Sequence, residues 1–272
     1  MLPQNLHTHT VYGDGKNTPE VMVLGAISSG CRSLGFSEHS PMGSPEGDGW
    51  AMRGENLPAY RRDVLSLRDK YAHRLPIFLG LELDVDSPLP DGQWDYLLCS
   101  CHGIWVDGVY RSVDYSAECT RQTIRECFGG DSYAYTAAYF RRLGHWAESF
   151  PGQIVGHADL VTKFNEGGAM FDESDPRYLS PAMEALEALS AKELIFEINT
   201  GAMSRGYRTT PYPSPALLRF LREKGARVCL TSDSHSADTI VHAFSQAAEL
   251  AKSCGFREVQ VLTEHGFIGQ AI

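Results

Sequence analysis

Residues 76–85 read PIFLGLELDV. A strand with one wet face alternates apolar and polar side chains. This run is apolar at nearly every position, as in parallel strands covered on both faces. Glu82 interrupts it. A carboxylate inside such a run is rare unless it is paired or metal-bound, and its two oxygens can bridge two ions.

The same pattern, a β-rich run closed by metal-ligand residue types, recurs along the chain. NLHTHT (5–10), GFSEHS (35–40), LGLELDV (79–85), LCSCHG (98–103), IVGHADL (154–160) and LTSDSH (230–235) place His7, His9, Glu38, His39, Glu82, His102, His157, Asp159, Asp233 and His235. Strand ends that deliver ligands in succession to one rim are what a barrel of parallel strands produces. Strands are expected at 4–7, 33–37, 76–82, 95–101, 153–157, 194–199 and 227–231, with a further candidate at 258–262. Helices are expected at 18–29, 57–73, 116–127, 133–149, 181–192, 214–224 and 236–254. The first opens on Thr18-Pro19-Glu20, with Thr as N-cap and Pro at the first helical position. Seven or eight β-then-α units predict a (β/α) barrel. Long Gly- and Pro-rich loops at 40–56 and 200–213 follow strand ends, on the side where a barrel keeps its active site.

His7 and His9 are two apart, so in a strand both rings share a face and can converge on one ion. Asp233 and His235 repeat that spacing. His102 and His157 follow apolar runs, and Asp14 lies in the Gly13-Asp14-Gly15 turn just past His9. His73, His145, His242 and His265 fall in helical or tail positions and read as packing or surface residues. Cys99 and Cys101 flank His102, but the imidazole and carboxylate ligands around them suit zinc, iron or manganese.

The 272 residues are 43% hydrophobic and 10% aromatic, ample for a large buried core. A net charge of −10 argues against a general nucleic-acid or acidic-membrane binder. No stretch reaches the roughly 20 apolar residues of a membrane span, and MLPQNLHTHT lacks a signal-peptide pattern. Seven cysteines without a CxxC pair read as reduced thiols in a cytoplasmic protein. No linker divides the chain, so residues 1–272 are expected to form one domain.

The ordered series HxH, GFxEH, GxE, CH, GHxD and SDxH resembles the polymerase and histidinol phosphatase (PHP) family, from Leu6 to about Phe267. EINTGAMSRGYRTTPYPS (197–214) and HADLVTKFN (157–165) resemble its histidinol-phosphatase branch. The resemblance implies a distorted (β/α)7 TIM-like barrel with a site for two to three divalent transition metals, Zn, Fe or Mn, at the strand C-termini. Carried over by motif, one metal takes His7, His9, Glu82 and Asp233. A second shares bridging Glu82 and adds His102 and His157. A third takes Asp14, His39 and His235. Two departures are Glu38, where many members have Asp, and Ser234, where Ala is commoner.

Divalent ions lower the pKa of a bridging water and neutralise phosphoryl charge, the two requirements of phosphate-ester hydrolysis. Asp159 is a candidate proton donor to the leaving group, or else it orients a ligand. Arg205 is the expected phosphate contact, and it is not expected to brace the metals; Arg208, Lys163 and Arg53 are further candidates, because guanidinium forks match phosphate oxygens. Glu38 and Glu197 could meet a cationic amine of the substrate or brace the metal shell. The resemblance implies hydrolysis of the small phosphomonoester L-histidinol phosphate to L-histidinol and inorganic phosphate, in histidine biosynthesis. The alternative is a PHP phosphatase or phosphodiesterase acting on nucleotide or oligonucleotide phosphates, whose need for a basic groove the acidic balance disfavours. A third reading, a metal-binding module without catalysis, is disfavoured by the intact ligand set. Oligomeric state is not readable from the sequence.

Overall fold

The structure, a computed structural model, describes residues 3–42, 47 and 49–272. Positions 43–46 and 48 of the expected loop 40–56 lie outside the described residues.

Seven parallel strands form the central sheet: β1 (Gln4–Asn5), β2 (Ser33–His39), β3 (Ile77–Asp84), β4 (Tyr96–Ser100), and, after a rim hairpin of β5 (Gly103–Val106) and β6 (Val109–Ser112), β7 (Ile154–Val155), β8 (Ile195–Asn199) and β9 (Arg227–Thr231). Their order is β1-β2-β3-β4-β7-β8-β9, each pair parallel. A parallel bridge between Thr8 and Ser234 closes the ring, with His9 N donating to Ser234 O (2.8 Å) and Ser234 N to His7 O (3.0 Å). The result is a distorted (β/α)7 barrel. The distortion lies in β1 and β7, each only two residues long.

Helices cover the outside: α1 (Pro19–Ser28), α2 (Leu57–Tyr71), α3 (Ala117–Cys127), α4 (Ser132–Trp146), α5 (Pro176–Ser190), the short α6 (Gly201–Ser204), α7 (Pro215–Glu223) and α8 (Phe244–Ser253). Thr18 caps α1 as its sequence implies, accepting from Val21 N. Among the described residues, no helix is long and apolar enough to cross a membrane.

Three expectations need correction. The helix expected from 181 begins at Pro176, capped by Asp175, and carries Pro181 inside. The helix expected over 236–254 starts only at Phe244, because Ala243 adopts a left-handed φ of 55° that ends the preceding turn. Residues 258–262 add no barrel strand: β10 (Glu258–Thr263) pairs antiparallel with β11 (Gly266–Ala271).

That hairpin caps the N-terminal end of the barrel. The Gln4 side chain donates to Leu262 O (2.8 Å) and accepts from Leu262 N (2.7 Å). Above it Leu6, Phe78, Tyr96, Leu98, Ile154, Ile195, Cys229 and Leu262 form one buried cluster within the strands. Tyr96 fits because its neighbours are glycines: a Cβ at Gly80 would stand 2.6 Å from the ring, and one at Gly35 2.5 Å from its hydroxyl. The hydroxyl donates to Leu6 O (2.6 Å) and so is not orphaned by burial.

Candidate metal centre and substrate cleft

At the opposite end, the strand C-termini, polar side chains replace carbon. The register sets His39 on β2 beside Glu82 on β3. Glu82 is buried at the centre of the group. Its Oε2 lies 3.3 Å from His7 Nε2, 3.5 Å from His9 Nε2 and 2.7 Å from His39 Nδ1. Its Oε1 lies 3.4 Å from His102 Nε2 and 3.2 Å from His157 Nε2. Asp233 Oδ1 stands 3.5 Å from His7 Nε2, 3.2 Å from His9 Nε2 and 3.6 Å from His235 Nδ1. On the outer side Asp14 Oδ1 is 3.2 Å from His235 Nε2 and 3.7 Å from His39 Nε2.

Two atoms each about 2.0–2.2 Å from one ion at a tetrahedral angle stand about 3.4 Å apart. Most of these separations have that value. Four overlapping groups of donors result: His9, Asp14, His39 and His235; His7, His9 and Asp233; His7, Glu82 and His157; His39, Glu82 and His102. His7 Nε2, His9 Nε2 and both Glu82 oxygens are buried without a hydrogen-bond partner. Buried polar atoms left unpaired are costly, and cations among them remove the cost. The donor set therefore fits divalent metals.

Local backbone builds this convergence. Asp14 is presented by a turn in which a Cβ at Gly15 would strike Thr10 N at 2.4 Å. Asp233 holds a left-handed φ of 46°, a conformation rare outside glycine and often found at functional sites.

A second layer orients the rings. His7 Nδ1 pairs with Glu197 (2.8 Å), His9 Nδ1 with Glu38 (3.4 Å), and His102 Nδ1 with Asp84 (3.0 Å). Carboxylates so placed fix the tautomer and aim the opposite nitrogen. Burial opposes charge on His7, but Glu197, Glu82 and Asp233 outweigh it and raise its pKa well above the usual value. Burial likewise opposes ionisation of Glu82, yet the surrounding imidazoles hold its pKa well below the carboxylate range.

The remaining candidates separate. Glu38 and Glu197 are fully buried: Glu38 also accepts from Thr10 N and Oγ1, and Glu197 from Thr231 Oγ1. With their oxygens so used, they brace imidazoles and do not reach the cleft. Arg208 is drawn away by a two-pronged pair with Glu173 (2.7 and 3.1 Å) and a bond to Thr162 O. Arg53 is solvated, its side chain 81% exposed. Asp159 is wholly buried, accepts from Ser214 N (2.9 Å) and is absent from the cleft wall; burial pushes its pKa up to about 7.

Lys163 and Arg205 do line the cleft, which encloses ≈ 550 Å³. Arg205 is also tied to the metal-type ligands, Nη2 to Asp233 Oδ2 (2.9 Å) and Nη1 to Asp233 O (3.2 Å), so it does brace Asp233. Lys163 Nζ donates to Asp114 O (2.9 Å). Not singled out by sequence are Asp84, Trp50, and the wall formed by Tyr110, Ser112, Asp114 and Tyr115. Asp84 had a signal, since it sits two residues after Glu82 on the same strand face. Trp50 packs edge-on against His39, ring centroids 4.8 Å apart.

Known proteins resemble this chain along nearly its whole length. It is 28% identical over 262 residues to a candidate histidinol-phosphatase of Deinococcus radiodurans, spanning 93% of this chain and 94% of that one. It is 25% identical over 271 residues to a histidinol-phosphatase of Lactococcus lactis, spanning 95% and 93%. In fold it superposes on a crystal structure from Listeria monocytogenes, named as a candidate histidinol phosphatase, with a TM-score of 0.78 at 24% identity, covering 90% of this chain and 99% of that one. A Lactococcus lactis histidinol phosphate phosphatase, solved with zinc, L-histidinol and phosphate, matches with a TM-score of 0.72 at 20% identity, covering 97% and 98%. The sequence profile of the PHP domain matches residues 5–201, and the chain belongs to the PHP domain family.

Proposed function

We propose that this chain is a metal-dependent phosphomonoesterase that hydrolyses L-histidinol phosphate to L-histidinol and phosphate. The observation that carries the reaction class is the set of unpaired buried donors around Glu82, open to a cleft that also bears Lys163 and Arg205. The relatives of that name, matched over 93% and 95% of the chain, support the substrate. His7, His9, Asp14, His39, Glu82, His102, His157, Asp233 and His235 would hold two to three zinc, iron or manganese ions. Ions of this kind supply Lewis acidity and a bound water of lowered pKa.

The chain's own groups do the rest. Glu38, Glu197 and Asp84 fix the imidazole orientations. Arg205, with one edge on Asp233, and Lys163 neutralise the phosphoryl oxygens. The ring of strands and Trp50 limit solvent access from below and from one side. In this reading residues 1–272 act as one hydrolase domain in the cytoplasm, with a role in histidine biosynthesis. The test is phosphate release from metal-loaded protein across a panel of phosphomonoesters and one phosphodiester, with and without chelator. L-histidinol phosphate should have the highest kcat/KM, abolished by chelation. A nucleotide or diester turned over more efficiently would move the protein to a different PHP activity.

A further inference from the structure

The cleft has two unlike walls. One is the donor cluster with Lys163 and Arg205. The other is the end of the β5–β6 hairpin and the residues after it, carrying Tyr110, Ser112, Asp114 and Tyr115. Among the described residues, Asp114 is the one acid lining the cleft that belongs to none of the four donor groups. Its carboxylate is held in place: Ser112 Oγ donates to Oδ1 at 2.9 Å, and Lys163 Nζ stands 3.5 Å from Oδ2. It is also open to the cleft, with 28% of the side chain exposed.

Resting on the reading of this site as a histidinol phosphatase, we propose that Asp114 is the specificity residue for the leaving group, binding the ammonium of an amino-alcohol phosphate while Lys163 faces its phosphate. In such a substrate the ammonium and the phosphoryl oxygen are joined through two carbons, so a positive and a negative centre lie side by side. The Lys163–Asp114 pair offers the opposite charges at a similar spacing, and the four charges alternate. A phosphate ester of an uncharged alcohol leaves Asp114 facing a dianion with no cation of the substrate between them. Discrimination therefore comes from repulsion of the wrong substrate as well as attraction of the right one. Tyr110 and Tyr115 add an aromatic surface on the same wall, suited to a ring carried by the alcohol.

The experiment compares kcat/KM of the zinc-loaded enzyme for L-histidinol phosphate and for β-glycerophosphate, in the parent and in Asp114→Asn, together with calorimetric binding of L-histidinol. Asp114→Asn should lower kcat/KM for L-histidinol phosphate at least 30-fold and weaken L-histidinol binding at least 10-fold. Turnover of β-glycerophosphate should stay within threefold or rise. Equal losses on both substrates, or unchanged L-histidinol binding, would overturn the assignment and leave Asp114 as a support for Lys163. A parent enzyme with no preference for L-histidinol phosphate would instead defeat the functional reading itself. Should Asp114→Asn not fold, Asp114→Ser reads the same ratio.

Discussion

At the N-terminal end of the barrel Phe78, Tyr96, Leu98, Ile154 and Ile195 are packed together, and the one hydroxyl among them is satisfied by Leu6 O. At the C-terminal end the same strands, a few residues on, bury five imidazoles around Glu82 and leave several of these atoms unpaired. The lower end is complete as a polypeptide; the upper end requires cations. A strand can serve both because plug residues give way to ligands one to four positions on: Leu6 to His7, Phe78 to Glu82, Leu98 to His102, Ile154 to His157.

The sharpest way to break this contrast is Glu82→Gln. The amide keeps the size and loses the charge, and Glu82 is within 3.5 Å of five histidines on both sides of the cluster. Metal content should fall by more than one ion per chain, and kcat/KM by about 10³-fold, equivalent to about 4 kcal/mol. Loss of a single ion, measured by elemental analysis, would make Glu82 a terminal ligand and not a bridge. Chelation of the parent comes next. A ligand held at about 1,000 times its Kd stabilises by about 4 kcal/mol, so stripping metal should lower Tm by about 8–16 °C. An unchanged Tm would mean that the upper end is self-sufficient.

Arg205 stands on the boundary between holding metal ligands and holding substrate. Arg205→Ala should lower kcat/KM about 10²-fold, or about 2.7 kcal/mol, and the ion beside Asp233 should exchange faster. Arg205→Lys should recover only part, because an ammonium cannot span Asp233 and a phosphoryl oxygen as a planar fork does. Parent-level kcat/KM in Arg205→Ala would shift the phosphate contact to Lys163.

Much of this was legible in the sequence, and the reasons for the misses are local. Runs such as PIFLGLEL declare strands buried on both faces, and ligand types at their ends mark the rim. The β5–β6 hairpin lies outside the expected strands, although Asp107-Gly108, flanked by Trp105, Val106 and Val109, is a hairpin turn signal; both residues adopt positive φ. That hairpin leads into the cleft wall that carries Asp114. The strand at 258–262 was recognisable as a strand, but its partner at 266–271 is an antiparallel return and not a barrel neighbour. Arg205 and Arg208 lie three residues apart in one loop, and nothing local distinguishes them. Glu173, 35 residues from Arg208, decides that only Arg205 reaches the cleft.

The smallest effect expected tests whether the two ends are insulated. Tyr96→Phe removes one hydroxyl from the lower end and leaves Leu6 O without its donor (2.6 Å). An unmet buried carbonyl and a lost hydrogen bond cost about 1–2 kcal/mol, so Tm should fall by about 2–8 °C. Leu6 precedes His7, whose ring is separately fixed by Glu197 at 2.8 Å and whose backbone is fixed by Ser234 at 3.0 Å. Those two anchors belong to the upper end, so metal content and kcat should stay within twofold of the parent. A tenfold fall in kcat with a normal Tm would show that the aromatic plug positions His7, and the lower end would then be part of the catalytic apparatus.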